Sequence, residues 1–216
     1  GLICIIQRIL SVENAKEVVE FTIDHKDTFV GLDLADNEVG FDSKPFAPLF
    51  ERARQAELGI TVHSGEADVP KAPRYVRDAI DYLGATRIGH GLQIHRDQNM
   101  MNYVKEKGIV LELCPTSNWL TNAVSSLDSH PFRKLMEYGI RTTINSDDPG
   151  IFGIDLTNEY EILAKHHNFT ETEFNHCNDI AAAASCMPLA KRREVCPRGI
   201  VDTNPTQPQK STKWKI

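Results

Sequence analysis

Up to Gly153 the chain alternates short aliphatic and β-branched runs with stretches in which apolar residues return every three or four positions. That alternation is the pattern of successive βα units. The apolar runs predict strands over Leu2–Ile6, Phe29–Leu34, Ile60–His63, Arg87–His90, Ile109–Leu113 and Thr142–Ser146. Between them the helical spacing predicts one helix opening at Ser11-Val12-Glu13-Asn14, with Ser11 as N-cap, and running through Val18, Val19 and Phe21. Further helices are expected over Phe46–Glu57, Ala72–Leu83, Asp97–Glu106 and His130–Tyr138, the last with Pro131 in its first turn. Gly59, Gly84, Gly108 and Gly139 each stand just before a strand and read as left-handed C-caps. Beyond Gly153, helices are expected near Leu156–His167 and Glu171–Ala184.

Six βα units fit either an open doubly wound sheet or a (β/α) barrel lacking two strands. The doubly wound fold predicts a glycine-rich phosphate loop after an early strand. Neither Gln7-Arg8-Ile9 nor Asp33-Leu34-Ala35-Asp36-Asn37-Glu38 is glycine-rich. The expected organisation is therefore a partial barrel over 1–185, followed by a divergent, poorly ordered tail over 186–216. Within that tail Pro197–Ile216 has little apolar pattern.

Composition narrows the classes. At 216 residues, 41% hydrophobic and 25% charged, the chain is long enough for one substantial core. A net charge of −6 argues against a nucleic-acid partner, which calls for a basic face. No uncharged apolar stretch approaches the roughly 18 residues of a membrane span. Five scattered cysteines without a CxxC pair suit reduced thiols in the cytoplasm. Gly1 leads straight into the apolar run Leu2-Ile3-Cys4-Ile5-Ile6, so coding sequence is expected upstream.

The chemistry-bearing residues gather at the C-terminal ends of the expected strands: His63-Ser64-Gly65-Glu66, Gly89-His90-Gly91, Cys114-Pro115-Thr116-Ser117-Asn118 and Asn145-Ser146-Asp147-Asp148-Pro149. In a parallel barrel those ends open on one face, where active sites sit. Each has an ordinary reading. A lone histidine is more often structural, Glu66 could flank a helix start, and adjacent aspartates are common in turns. The glycines around His90, however, permit close backbone approach to a ligand. Two adjacent carboxylates also repel unless a cation or proton intervenes. Together the set suits metal-assisted hydrolysis: His63 and Asp147 as ligands of a divalent ion, Glu66 as proton shuttle and His90 as partner of the hydroxide.

These motifs carry a likeness. His63-Ser64-Gly65-Glu66 (serine where alanine is usual), Arg87-Ile88-Gly89-His90-Gly91, Leu113-Cys114-Pro115-Thr116-Ser117-Asn118 and Ser146-Asp147-Asp148-Pro149 resemble, in order, the motifs of the adenosine/AMP deaminase family of the amidohydrolase superfamily. The likeness runs over about residues 2–185 and is greatest to bacterial-type adenosine deaminases, whose pattern aminofutalosine deaminases share. It implies a TIM (β/α)8-type barrel with one Zn2+, removing ammonia from C6 of a purine nucleoside such as adenosine to give inosine. In that reading His63 and Asp147 ligate zinc, Glu66 protonates purine N1, His90 hydrogen-bonds the zinc hydroxide and Asp148 contacts N7. A backbone N–H at Asp36, where the family usually has glycine, would meet N3.

The family's first strand also carries a His-x-His pair that completes the zinc site, and no His-x-His occurs in these 216 residues. Against the family the chain corresponds to strands three to eight, so it is expected to bind zinc weakly by itself. His25, His95, His130 and His176 have no counterpart, and adjacent His166 and His167 would project about 100° apart in a helix. An inactive short form that binds a partner is the alternative from another class. A cytidine-deaminase-type site is excluded, because it needs His-x-Glu with Pro-Cys-x-x-Cys. Oligomeric state is left open.

Overall fold

In the computed structural model, which describes residues 1–196, six strands pair in parallel and in strict chain order. They are β1 (Leu2–Gln7), β2 (Phe29–Ala35), β3 (Gly59–Ser64), β4 (Arg87–His90), β5 (Val110–Leu113) and β6 (Arg141–Ile144). Sequential order excludes the doubly wound alternative, whose strand order reverses at a switch point. It is the order of a barrel wall laid down one βα unit at a time. Among the described residues β1 and β6 are the two edges of that wall.

The register assigns each strand two faces. Leu34, Val62, Ile88 and Leu111 sit side by side across β2 to β5 and are fully buried beneath the helices. On the opposite face Asp33 stands beside Thr61 and Thr61 beside Arg87. On that same face His63 stands beside Gly89, Gly89 beside Glu112 and Glu112 beside Thr143. The inward face is thus polar, and its charges are paired: Arg87 Nε donates to Glu112 Oε1 at 2.7 Å and Thr61 Oγ1 to Glu112 Oε2 at 2.8 Å. Paired charges of this kind are the condition for burying them at all.

Helices cover the outer face where the periodicity placed them. In α1 (Val12–Asp24) Ser11 Oγ accepts from Asn14 N–H at 3.2 Å, the expected cap. A 3-10 turn, Lys44–Phe46, leads into α2 (Ala47–Gln55). The helix α3 (Ala72–Leu83) closes on left-handed Gly84, and α4 (Gln98–Glu106) is capped by Asp97. The short helices α5 (Pro115–Leu120), α7 (Pro149–Phe152) and α10 (Leu189–Val195) went unpredicted, having 6, 4 and 7 residues and little room for periodicity. The helix expected from His130 is shorter, α6 (Phe132–Glu137), and leaves His130 outside it. The bounds of α8 (Leu156–His167) and α9 (Glu171–Ala184) fall as expected.

Two boundary readings change. Strand β6 stops at Ile144, two residues early, and Asp147 beyond it is left-handed (φ 57°). Gly59 is not a helix cap: Glu57 takes the positive φ of 65°, while Gly59 begins β3. Its lack of a side chain serves packing, since a Cβ there would fall 2.3 Å from Cys186 Sγ. Of the stretch read as a divergent tail, residues 186–196 contain α10, and Pro197–Ile216 lies outside the described residues. Among the described residues no helix is long and apolar enough to cross a membrane.

The core lies between the outward strand face and the helices and includes fully buried Phe50, Val76, Ala79, Leu83, Ile88 and Leu111. Phe50→Ala should therefore cost roughly 3–5 kcal/mol of folding stability, measured as a shift of the urea unfolding midpoint, because a large ring leaves a cavity that close packing cannot refill.

Candidate active site

Each strand tip delivers one group, and neighbouring residues explain how. His63 projects from β3 over Gly89, where a Cβ would crowd the imidazole, lying 3.1 Å from Nδ1. His90 ends β4 in the left-handed region (φ 65°), and so do Asp36 (φ 80°) after β2 and Asp147 (φ 57°) after β6. Three non-glycine residues in this sparsely populated region, at the tips of the alternate strands β2, β4 and β6, mark a site whose surroundings hold them there. The glycines around His90 have a different reason from close approach to a ligand. Gly89 clears His63, and Gly91 packs where a Cβ would meet Leu111 Cδ2 at 2.7 Å.

The groups converge. One ligand atom each of His63, His90 and Asp147 lies within 4.8 Å of the others, a set able to hold a metal ion. His90 Nε2 stands 3.8 Å from Asp147 Oδ2 and 3.5 Å from Glu66 Oε2. The two imidazoles meet edge to face with centroids 5.1 Å apart. Asp36, His63, Glu66, His90, Asp147 and Asp148, all six residues singled out from the sequence, line one cleft of about 710 Å³. The structure places His90 within the same three-residue cluster as His63 and Asp147, closer to them than the sequence alone indicated. Asp36 also shows why glycine is usual at its position: the backbone there is left-handed.

Behind these residues stands a layer that sequence reading missed. Asp33, 3% exposed, places Oδ2 2.8 Å from His63 Nδ1, which leaves Nε2 as the nitrogen of that ring open to the cleft. Buried Glu38 accepts from the backbone N–H groups of Gly65 (2.7 Å), Glu66 (2.9 Å) and Ala67 (2.8 Å). Arg8, buried beside it, donates through Nη2 to the carbonyls of His63 and Leu34. Burial lifts the Glu38 carboxyl above its ordinary range, against the pull of those three N–H groups and of Arg8. Ser117 Oγ donates to Asp147 Oδ2 at 2.6 Å, and Thr121 Oγ1 to Glu66 Oε1 at 3.0 Å. His130, set aside in the sequence, reaches Asn118, which in turn touches His90 and Glu66. A signal existed for Arg8, Asp33 and Glu38: each is a charge in or beside an otherwise apolar strand.

The electrostatics follow the layout. Burial alone would depress the His63 pKa, but its contact with Asp33 and the charges of Asp33, Asp147 and Glu66 outweigh burial and push it up to about 9. Carboxylates that draw a proton onto an imidazole form a pocket suited to a cation. His130 behaves oppositely: burial, helped by nearby His167, His90 and His95, drives its pKa down to about 3.

Fold and site together define an α/β barrel protein with an imidazole–carboxylate cluster at its strand tips. The family model described as "Adenosine deaminase" matches residues 1–201, and the chain belongs to the adenosine deaminase family. It is 44% identical over 179 residues to an adenosine deaminase of Plasmodium falciparum, covering 82% of this chain and 48% of that protein. To an adenosine deaminase of Pectobacterium atrosepticum it is 40% identical over 172 residues, covering 80% and 50%. Among solved structures it is similar to the adenine deaminase from Arthrobacter aurescens, with a TM-score of 0.82 and 29% identity over 88% of this chain and 57% of that one. The chain spans about half the length of the curated relatives it matches.

Because His130 is buried neutral, the unfolded chain binds a proton there that the folded chain refuses. Its contribution to stability is complete above pH 6.5 and is lost as pH falls toward 3, up to about 5 kcal/mol at the acid limit. Replacing it in His130→Phe should flatten the fall of the urea midpoint between pH 7 and pH 4 relative to the unaltered chain. Equal slopes for the two would contradict this.

Proposed function

We propose that this chain carries the greater part of a zinc-dependent site for hydrolytic deamination of adenosine or a related 6-aminopurine nucleoside. The observation that carries the reading is the meeting of His63, His90 and Asp147 within 4.8 Å in a cleft shared with Glu66, Asp36 and Asp148. The donor set fits the ion: imidazole and carboxylate are zinc ligands, and the Asp33 contact behind His63 is the outer-shell carboxylate such histidines use. His63 and Asp147 would hold Zn2+, with further ligands from a His-x-His pair that these residues do not include.

Bound there, the ion would supply hydroxide near neutral pH by lowering the pKa of its water to about 7. The chain's own residues do the rest. Glu66, braced by Thr121 Oγ1, gives a proton to purine N1 and so draws electron density away from C6. His90 Nε2, 3.5 Å from the Glu66 carboxylate, orients the attacking oxygen. Asp148, on the exposed rim of the cleft, meets N7, and the Asp36 backbone N–H meets N3. The Asp36 side chain is turned aside onto Asn37 N–H at 2.7 Å and Gln7 Nε2 at 3.1 Å. Adenosine deaminases among the relatives at about 40% identity support the substrate class.

Two measurements test this. By equilibrium dialysis the 216-residue chain should take up Zn2+ weakly, and His63→Ala or Asp147→Ala should remove that binding. Uptake unaltered by either substitution would place the metal elsewhere. In a version completed with a His-x-His strand, adenosine should lose its absorbance as inosine forms. There Glu66→Gln should slow turnover by roughly 10²–10⁴-fold with zinc retained, and an unchanged rate would remove Glu66 from proton transfer.

A further inference from the structure

A chain of hydrogen bonds enters the site from behind, and its direction is determined at its far end. Phe132 N–H points at His130 Nδ1 at 3.1 Å. A backbone amide can only donate, so Nδ1 is the acceptor and the His130 proton resides on Nε2. That Nε2 lies 3.1 Å from Asn118 Oδ1, which accepts it. The amide cannot be reversed, because its NH2 would then face the His130 Nε2–H, donor against donor. Asn118 Nδ2 therefore donates to His90 Nδ1 at 3.1 Å. With Nδ1 occupied as an acceptor, the neutral His90 ring carries its hydrogen on Nε2, the atom aimed at Glu66 and Asp147.

From this geometry we infer that His130 and Asn118 are positioning residues that hold His90 in its Nε2–H tautomer, so that His90 meets the attacking oxygen as a hydrogen-bond donor and not as its base. The consequence for the reaction rests on the deaminase reading above; the tautomer itself does not. All three relay members are nearly inaccessible: His90 is 2% exposed, Asn118 0% and His130 3%, so water does not compete for these bonds. The depressed pKa of His130 is consistent with the direction, since protonation would set an N–H against the Phe132 N–H. A base at this position would need a free Nε2 lone pair, and the relay denies it one. The proton of the attacking water must then pass to a carboxylate; Glu66 and Asp147 both lie near the same Nε2, and with Asp147 assigned to the metal the part falls to Glu66. Glu66 and His90 thereby take complementary parts, one moving protons and the other fixing an oxygen by donating to it.

The test reads the proton's position directly. In the metal-free 216-residue chain labelled with 15N-histidine, long-range 1H–15N correlation should show both His90 and His130 as single Nε2–H tautomers. Asn118→Asp replaces the donating NH2 by an acceptor of the same shape, and should transfer the His90 proton to Nδ1 or make the ring doubly protonated. His130→Phe should leave His90 as a mixture of tautomers, with an unchanged amide fingerprint showing that the fold survives. A mixed or Nδ1–H His90 in the unaltered chain overturns the proposal, and so does a folded Asn118→Asp chain that keeps pure Nε2–H. Should the variants fail to fold, the unaltered chain alone decides. Absence of deaminase turnover in the version completed with a His-x-His strand would count against the functional reading and not against the tautomer.

Discussion

The carboxylate of Glu38 is the point on which the site turns. It sits buried at the tip of β2, takes the N–H groups of Gly65, Glu66 and Ala67, and lies beside Arg8 from the end of β1. Arg8 in turn holds the carbonyls of Leu34 and His63. Three strand ends are thereby tied through two buried charges that bond to backbone groups of those ends, although Arg8 Nε itself finds no partner. Removing either partner would leave a buried charge unpaired, which costs far more than an ordinary hydrogen bond contributes. The loop that carries Glu66 takes its shape from this arrangement.

From that anchor the remaining geometry follows by register. A parallel wall in chain order brings every strand's C-terminal end to one rim, and the side-chain period of two sends alternate residues inward. Gly89 gives His63 clearance across it, and Gly91 takes a left-handed backbone (φ 69°) beside Leu111. The positive φ angles at Asp36, His90 and Asp147 set the backbone at the rim of the cleft at some conformational cost. A site of this kind is preorganised by its supports: Asp33 for His63, Ser117 for Asp147, Thr121 for Glu66 and Asn118 for His90.

Much of this was legible beforehand. The six strands, the bounds of α3, α8 and α9, and His63, Glu66, His90, Asp147 and Asp148 could be read because each depends on local periodicity or on a short motif at a strand end; Asp36 came only from the family resemblance. The short helices α5, α7 and α10 could not, since segments of four to seven residues carry too little apolar pattern. His130 was set aside because it has no counterpart among the family's motifs. Its partner Asn118 is 12 positions away, and their contact exists only once α5 and the segment before α6 are packed together.

The sequence by itself determined the alternation of strand and helix, the placement of acids and histidines at strand ends, and membership in the adenosine deaminase family, because all three reside in residue order. Only the tertiary structure decided that His63, His90 and Asp147 share one pocket, that Arg8 and Glu38 clamp its loop, and that His90 is approached from behind by a directed relay. Those facts depend on strand register, on the hand of the backbone at single residues and on which polar atoms burial forces to find one another. None of these is encoded locally along the chain.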